Sequence, residues 1–129
     1  MAARQRQTYG EEVANVLTHG AGMLFGMTAI IILMMAAIRS GNPWAIGSFA
    51  VYAVCMTLSY VTSTFYHAST HARQKRLLRR FDHGAIYLHI AGTYTPFTLL
   101  ALRQEGYWGW SLFAVIWIAA VAGVCLSFR

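Results

Sequence analysis

Charge is what this sequence has least of. Of its 129 residues, 11% are Asp, Glu, Lys or Arg, against roughly 25% in a soluble domain. With 57% hydrophobic residues, a chain this short cannot cover a water-facing surface. That excludes an ordinary soluble domain and points to a bilayer. Cysteine is scarce too. Cys55 and Cys125 lie far apart inside apolar runs, so there is no CxxC pair and no disulfide framework; both read as small apolar residues of helices. A cleaved signal peptide is not recognisable: Arg4 and Arg6 resemble a basic leader, but the apolar run behind them starts late and is too long for one. The net charge of +6 does not imply a nucleic-acid partner. Arg73, Lys75, Arg76, Arg79 and Arg80 supply half of the Lys and Arg total within one short stretch, a pattern that reports membrane topology and anionic headgroups.

What is present is four long apolar runs. After a polar arm over residues 1–12, spans are predicted at about 13–38, 43–66, 82–102 and 107–128, each near the roughly 20 residues a bilayer requires. The expected class is therefore all-α, a multi-pass transmembrane helical bundle forming a single membrane domain over residues 1–129. Arg39-Ser-Gly-Asn-Pro43 has the chemistry of a turn, since Gly and Asn tolerate unusual backbone angles and Pro suits a first helical turn. Arg103-Gln-Glu-Gly106 makes the next one. Residues 68–80 read as a basic loop. Lys and Arg favour the cytosolic side, which puts the N-terminal arm, the basic loop and Arg129 inside. Trp44, Tyr107, Trp108 and Trp110 then share the outer interface as an aromatic belt. Gly22 and Gly26, four apart in the first span, have the small-xxx-small spacing that lets helices approach closely.

With that topology the unusual polar residues collect at the inner surface. Ser63 and His67 stand four apart on one helical face, and Asp82 opens the next span. Ionisable groups in spans are costly, so they suggest function. Each also has a plainer reading. Asp82 suits a helix N-cap, His67 an interfacial histidine, and Ser63 a packing hydroxyl. Glu11 and Glu12 read as solvated charges favoured at a helix start, and Asn15 and His19 as an interhelical hydrogen-bonding pair. His67 and His71 have a metal-compatible HxxxH spacing, but the surrounding positive charge disfavours a bound cation. His71 and His83 read as solvated or interfacial. His89 and Thr93 continue a polar stripe inward from Asp82, lining a cavity or bonding to a neighbouring helix.

Three stretches go beyond composition. EEVANVLTHGAG, STFYHAS and FDHGAIYLHIAGTYTPF resemble, in order and spacing, the three successive motifs of the hemolysin III family, which is similar to the progestin and adipoQ receptors and to alkaline ceramidases. The resemblance covers nearly the whole chain and implies a seven-helix membrane protein with a cytosolic N terminus and a zinc site near the cytosolic surface. On that pattern His67 is a zinc ligand. Ser63 hydrogen-bonds the zinc-bound water or reacting group, and Asp82 orients or deprotonates that water. The pattern's two further zinc-binding histidines, an HxxxH on the last helix, are absent from this sequence. The expectation is an N-terminal portion of a longer protein, completed by a C-terminal half or by a second copy of the chain.

Three functions follow as expectations for a multi-pass protein of the cell membrane. The first is zinc-dependent hydrolysis of a lipid amide or ester, with membrane lipids as partners and substrate. The second is a cytolytic pore, against which the apolar fourth span argues. The third is a non-catalytic receptor or membrane-homeostasis factor with a structural metal.

Overall fold

A computed structural model describes residues 8–129, which form four helices and no strand. Helix α1 spans Tyr9–Ser40, α2 Pro43–Ala68, α3 Ala72–Pro96 and α4 Trp108–Ser127, with a π-helical segment, Phe97–Ala101, following α3. Local chemistry sets these boundaries. Thr8 caps α1 by accepting from the Glu11 amide, while the Glu11 carboxylate accepts from the Thr8 amide, a reciprocal capping box. Gly41 ends α1 in the left-handed region at φ 64°, where a side chain would be strained. Asn42 then accepts from the Trp44 amide and Pro43 takes the first helical position of α2. The predicted turn at residues 39–43 is thus a cap joined to a cap.

Two expectations change. Most of the polar arm over residues 1–12 lies outside the described residues, but from Tyr9 it is already helix. The stretch 68–80 is not a loop. Only Ser69, Thr70 and His71 break the chain, and α3 begins at Ala72. Ala-Arg-Gln-Lys-Arg-Leu-Leu-Arg-Arg contains only good helix formers and neither Gly nor Pro. A run of like charge does not stop a helix when the side chains can reach water. Asp82 therefore lies well inside α3 and caps no terminus.

Helices α1, α2 and α4 are each long and apolar enough to cross a membrane. The basic first turns of α3 keep its average hydropathy lower, yet from Phe81 to Ala101 it reaches roughly 30 Å, the thickness of a bilayer core. This is a multi-pass helical membrane protein. Among the described residues its helices pack in sequence as an open layer: the α1 backbone packs on α2 alone, and α3 with the π-helical segment separates α2 from α4.

The buried residues are almost all small, among them Ala37, Ala45, Ser48, Cys55, Ser63, Ala85, Ala91 and Ala120, while many Leu, Ile, Val and Phe side chains face outward. That inversion suits a bilayer, where lipid tails solvate large apolar groups and helices associate through close packing. The tightest seam is α2 on α3: a Cβ placed on Gly92 would stand 2.6 Å from Cys55 Cβ. Gly22 and Gly26 form a notch, but it receives the Tyr60 ring and the Met56 tip rather than another backbone.

Candidate functional site

Three helices meet through polar side chains at the end of the layer where α1 begins. His67, in the last turn of α2, donates from Nδ1–H to the Glu12 carboxylate at 2.9 Å. The other Glu12 oxygen accepts from the Lys75 ammonium on α3. Glu12 thus links α2 to α3 although it belongs to α1. The Asn15 amide stands 3.4 Å from the same His67 nitrogen, and the His19 ring stacks on His67 at 5.8 Å. The His67 side chain is only 9% exposed and that of Glu12 17%. Glu12 is therefore no solvated helix-start charge, and Asn15 and His19 turn to His67 rather than to each other.

With Nδ1–H committed to Glu12, the imidazole is held in the tautomer whose Nε2 carries the free lone pair. No described residue hydrogen-bonds that nitrogen. Ser63, one turn deeper on the same face, is buried at 4% exposure. Asp82 shares a face of α3 with Lys75 and His89, seven residues from each, hence about 10 Å along the helix axis. It is partly buried and has no hydrogen bond or ion pair with any described residue. His71 and His83 are exposed, His71 as the N-cap residue of α3.

Further from this end the polar face continues as a string of rings. His19 meets Tyr60 at 6.2 Å, Tyr60 meets His89 at 6.1 Å, and His89 meets Tyr52 at 6.4 Å. These rings come from α1, α2 and α3 in turn. From His67 to Tyr52 the string follows α2 for about 22 Å. Thr93 lies outside it, exposed and bonded back to the His89 carbonyl.

The sequence motifs around this site can be matched to known proteins. The family model for haemolysin-III related proteins matches residues 7–129. The chain belongs to the haemolysin III family. Among relatives, Hemolysin-3 of Bacillus cereus is 46% identical over 121 residues, 94% of this chain and 54% of that protein. The Hemolysin-3 homolog of Bacillus subtilis (strain 168) is 43% identical over 117 residues, 91% of this chain and again 54% of the relative. This haemolysin III chain therefore spans about half the length of those relatives. No solved structure matches it.

Sequence reasoning missed Glu12 and Lys75 as members of the site. A signal for Glu12 was there: Glu12, Asn15 and His19 fall at i, i+3 and i+7 and so share one helical face. The arrangement can orient an imidazole, keep a carboxylate paired beside it, and place a hydroxyl one turn deeper. Among the described residues no three His, Cys, Asp or Glu stand close enough together to hold a metal. A catalytic zinc takes three protein ligands and a water, so these residues fit one ligand position and not a whole site.

Proposed function

We propose that this chain forms part of a cell-membrane hydrolase acting on lipid amide or ester bonds, with His67 as one zinc ligand. The observation that carries the reading is the 2.9 Å bond from His67 Nδ1–H to Glu12. A histidine that ligates zinc through one nitrogen almost always donates its other N–H to a carboxylate, carbonyl or water. Glu12 is such a partner, and Lys75 fixes its second oxygen. Zinc, when bound, supplies a polarised water able to attack a carbonyl. The chain's own part is to hold the imidazole in one tautomer and one orientation, with Ser63 on α2 and Asp82 on α3 as candidates for contact with the water or the lipid carbonyl. The remaining ligands would come from residues beyond this sequence or from a second copy.

The test measures zinc content and fatty-acid release from a lipid amide and a lipid ester, on protein purified into lipid nanodiscs. Bound zinc is expected in the wild type and absent in His67→Ala. In Glu12→Gln, zinc affinity should fall by about 10- to 100-fold, and hydrolysis should follow zinc through the series. Zinc bound equally by His67→Ala, or hydrolysis indifferent to that change, would overturn the proposal.

One observation favours a second reading, cytolysis, in keeping with the relatives' name Hemolysin-3. The ring string from His67 to Tyr52 covers about 22 Å of a roughly 30 Å bilayer core, and such a polar path could line a pore formed with other helices. Dye release from liposomes that Tyr60→Leu and His89→Leu abolish, with no lipid hydrolysis, would support that reading over the first.

A further inference from the structure

At the opposite end of the layer, where α2 and α4 begin, a sideways-facing groove of about 790 Å³ runs between those helices over α3 and the π-helical segment. Trp44, Gly47, Val51, Leu99, Phe113 and Trp117 make its wall. The polar groups in the lining are already satisfied from within. Ser48 Oγ donates to the Ala45 carbonyl. Thr95 Oγ1 donates to the Ala91 carbonyl and accepts from Trp117 Nε1–H at 3.1 Å. The wall therefore presents hydrocarbon and aromatic surface, within the size range of ligand pockets, and offers nothing for a polar ligand to bond.

The rim is different. The Arg103 guanidinium lies 4.3 Å above the Trp44 ring, and its Nε–H donates to the Leu99 carbonyl at 3.3 Å. Trp44 and Leu99 are both wall residues, so the cation is pinned at the mouth of the groove. Its two terminal nitrogens have no partner among the described residues, and Glu105, two residues on, forms no ion pair with it. A guanidinium anchored through Nε and a stacked face presents the rest of its fork to a planar or tetrahedral oxyanion.

An apolar slot open to the bilayer with one fixed, uncommitted guanidinium at its interfacial mouth matches a particular amphiphile. We propose that this groove binds an anionic phospholipid, one acyl chain lying along the wall and the headgroup phosphate on Arg103. The inference is independent of zinc and of the His67 end.

The test is native mass spectrometry of the detergent-purified chain, titrated with phosphatidylglycerol and phosphatidylcholine of identical acyl chains, and separately with inorganic phosphate. Phosphatidylglycerol should be held about fivefold more tightly than phosphatidylcholine, the increment of one interfacial cation. Arg103→Gln should erase that preference, and Arg103→Lys should keep part of it. Gly47→Phe should weaken both lipids by filling the slot. A Cβ at Gly47 meets nothing within 4 Å, so the new side chain starts from open space on the groove side, and circular dichroism with thermal unfolding checks that the variant stays folded. Equal binding of the two lipids by the wild type, a preference that survives Arg103→Gln, or lipid binding unaltered in Gly47→Phe would each overturn the proposal. So would displacement by inorganic phosphate alone, which marks a simple anion site, or a lipid-free dimer that Gly47→Phe dissociates, which marks a second copy as the occupant.

Discussion

The two ends of the helix layer solve the same packing problem with different forces. At the end marked by Glu12, three helices are joined by ionised and hydrogen-bonding groups from α1, α2 and α3. At the end marked by Trp44, α2, α3 and α4 are joined through aromatic side chains: Trp44 meets Trp110 edge-on at 5.8 Å, Trp117 donates to Thr95 of α3, and Arg103 lies over the Trp44 ring. Charges are tolerable at the first end because the Lys75 side chain, 29% exposed, still reaches water. At the Trp44 end the one nearby cation, Arg103, stays at the rim, and below it amphipathic rings and the buried Trp117–Thr95 hydrogen bond hold the helices together. The difference also bears on α1. Its backbone packs on α2 alone, and among the described residues the Glu12–Lys75 pair is its one polar link to α3.

Both ends hang on the α2–α3 seam, and Gly92 is the place to break it. Gly92→Leu would drive a side chain into Cys55, with the Tyr52 backbone 3.6 Å from its Cβ. Overpacking of this kind costs about 1–3 kcal/mol and more where backbone blocks relief. Thermal unfolding in detergent should show the largest loss of any single change here, with both ends disrupted together. If tryptophan fluorescence from Trp44 and Trp110 stayed native while α1 detached, the ends would be independent units instead. The next largest effect separates them. Glu12→Gln keeps one carbonyl oxygen but loses the charge and turns the other oxygen into an N–H donor, so only one of His67 and Lys75 keeps an acceptor, at a cost of about 1.5–3 kcal/mol for a hydrogen bond to a charged group. It should loosen α1, read as faster amide exchange in its first turns, without altering the tryptophan signal.

Much of this was legible from pattern alone, because bilayer constraints are written in composition. The apolar runs, the Gly41-Asn42-Pro43 junction and the small residues at helix contacts each follow from a local rule. What stayed hidden depends on distant partners or on an ambiguous signal. Glu12 in a first helical turn looks like any dipole-favoured carboxylate, and its partners stand 55 and 63 positions away. Charge alone makes residues 68–80 read as a loop, although the propensities of 72–80 are those of a helix. Moving the start of α3 back to Ala72 then places Asp82 inside the helix, on the face shared with Lys75 and His89 rather than at a terminus. The Arg103–Trp44 contact was invisible for a further reason, since aromatic-belt residues announce their depth in the membrane and not their neighbours.

The smallest effects give the finest test, because they separate the two ends by the physics of a single contact each. Lys75→Met removes a partly exposed ion pair, worth about 0.2–1 kcal/mol; Trp117→Phe removes the neutral bond to Thr95 Oγ1, worth about 0.6 kcal/mol for a side-chain hydrogen bond between membrane helices. In low salt the two variants should unfold at similar points. Raising the salt to about 1 M shrinks the screening length to about 3 Å, so the penalty of Lys75→Met should fade as the wild-type pair weakens. The penalty of Trp117→Phe should persist, because its bond carries no net charge and lies against the apolar groove. Equal salt sensitivity in both variants would mean that the Glu12–Lys75 pair is as sealed from water as the Trp117–Thr95 bond, and that its charges are held by burial rather than by access to solvent.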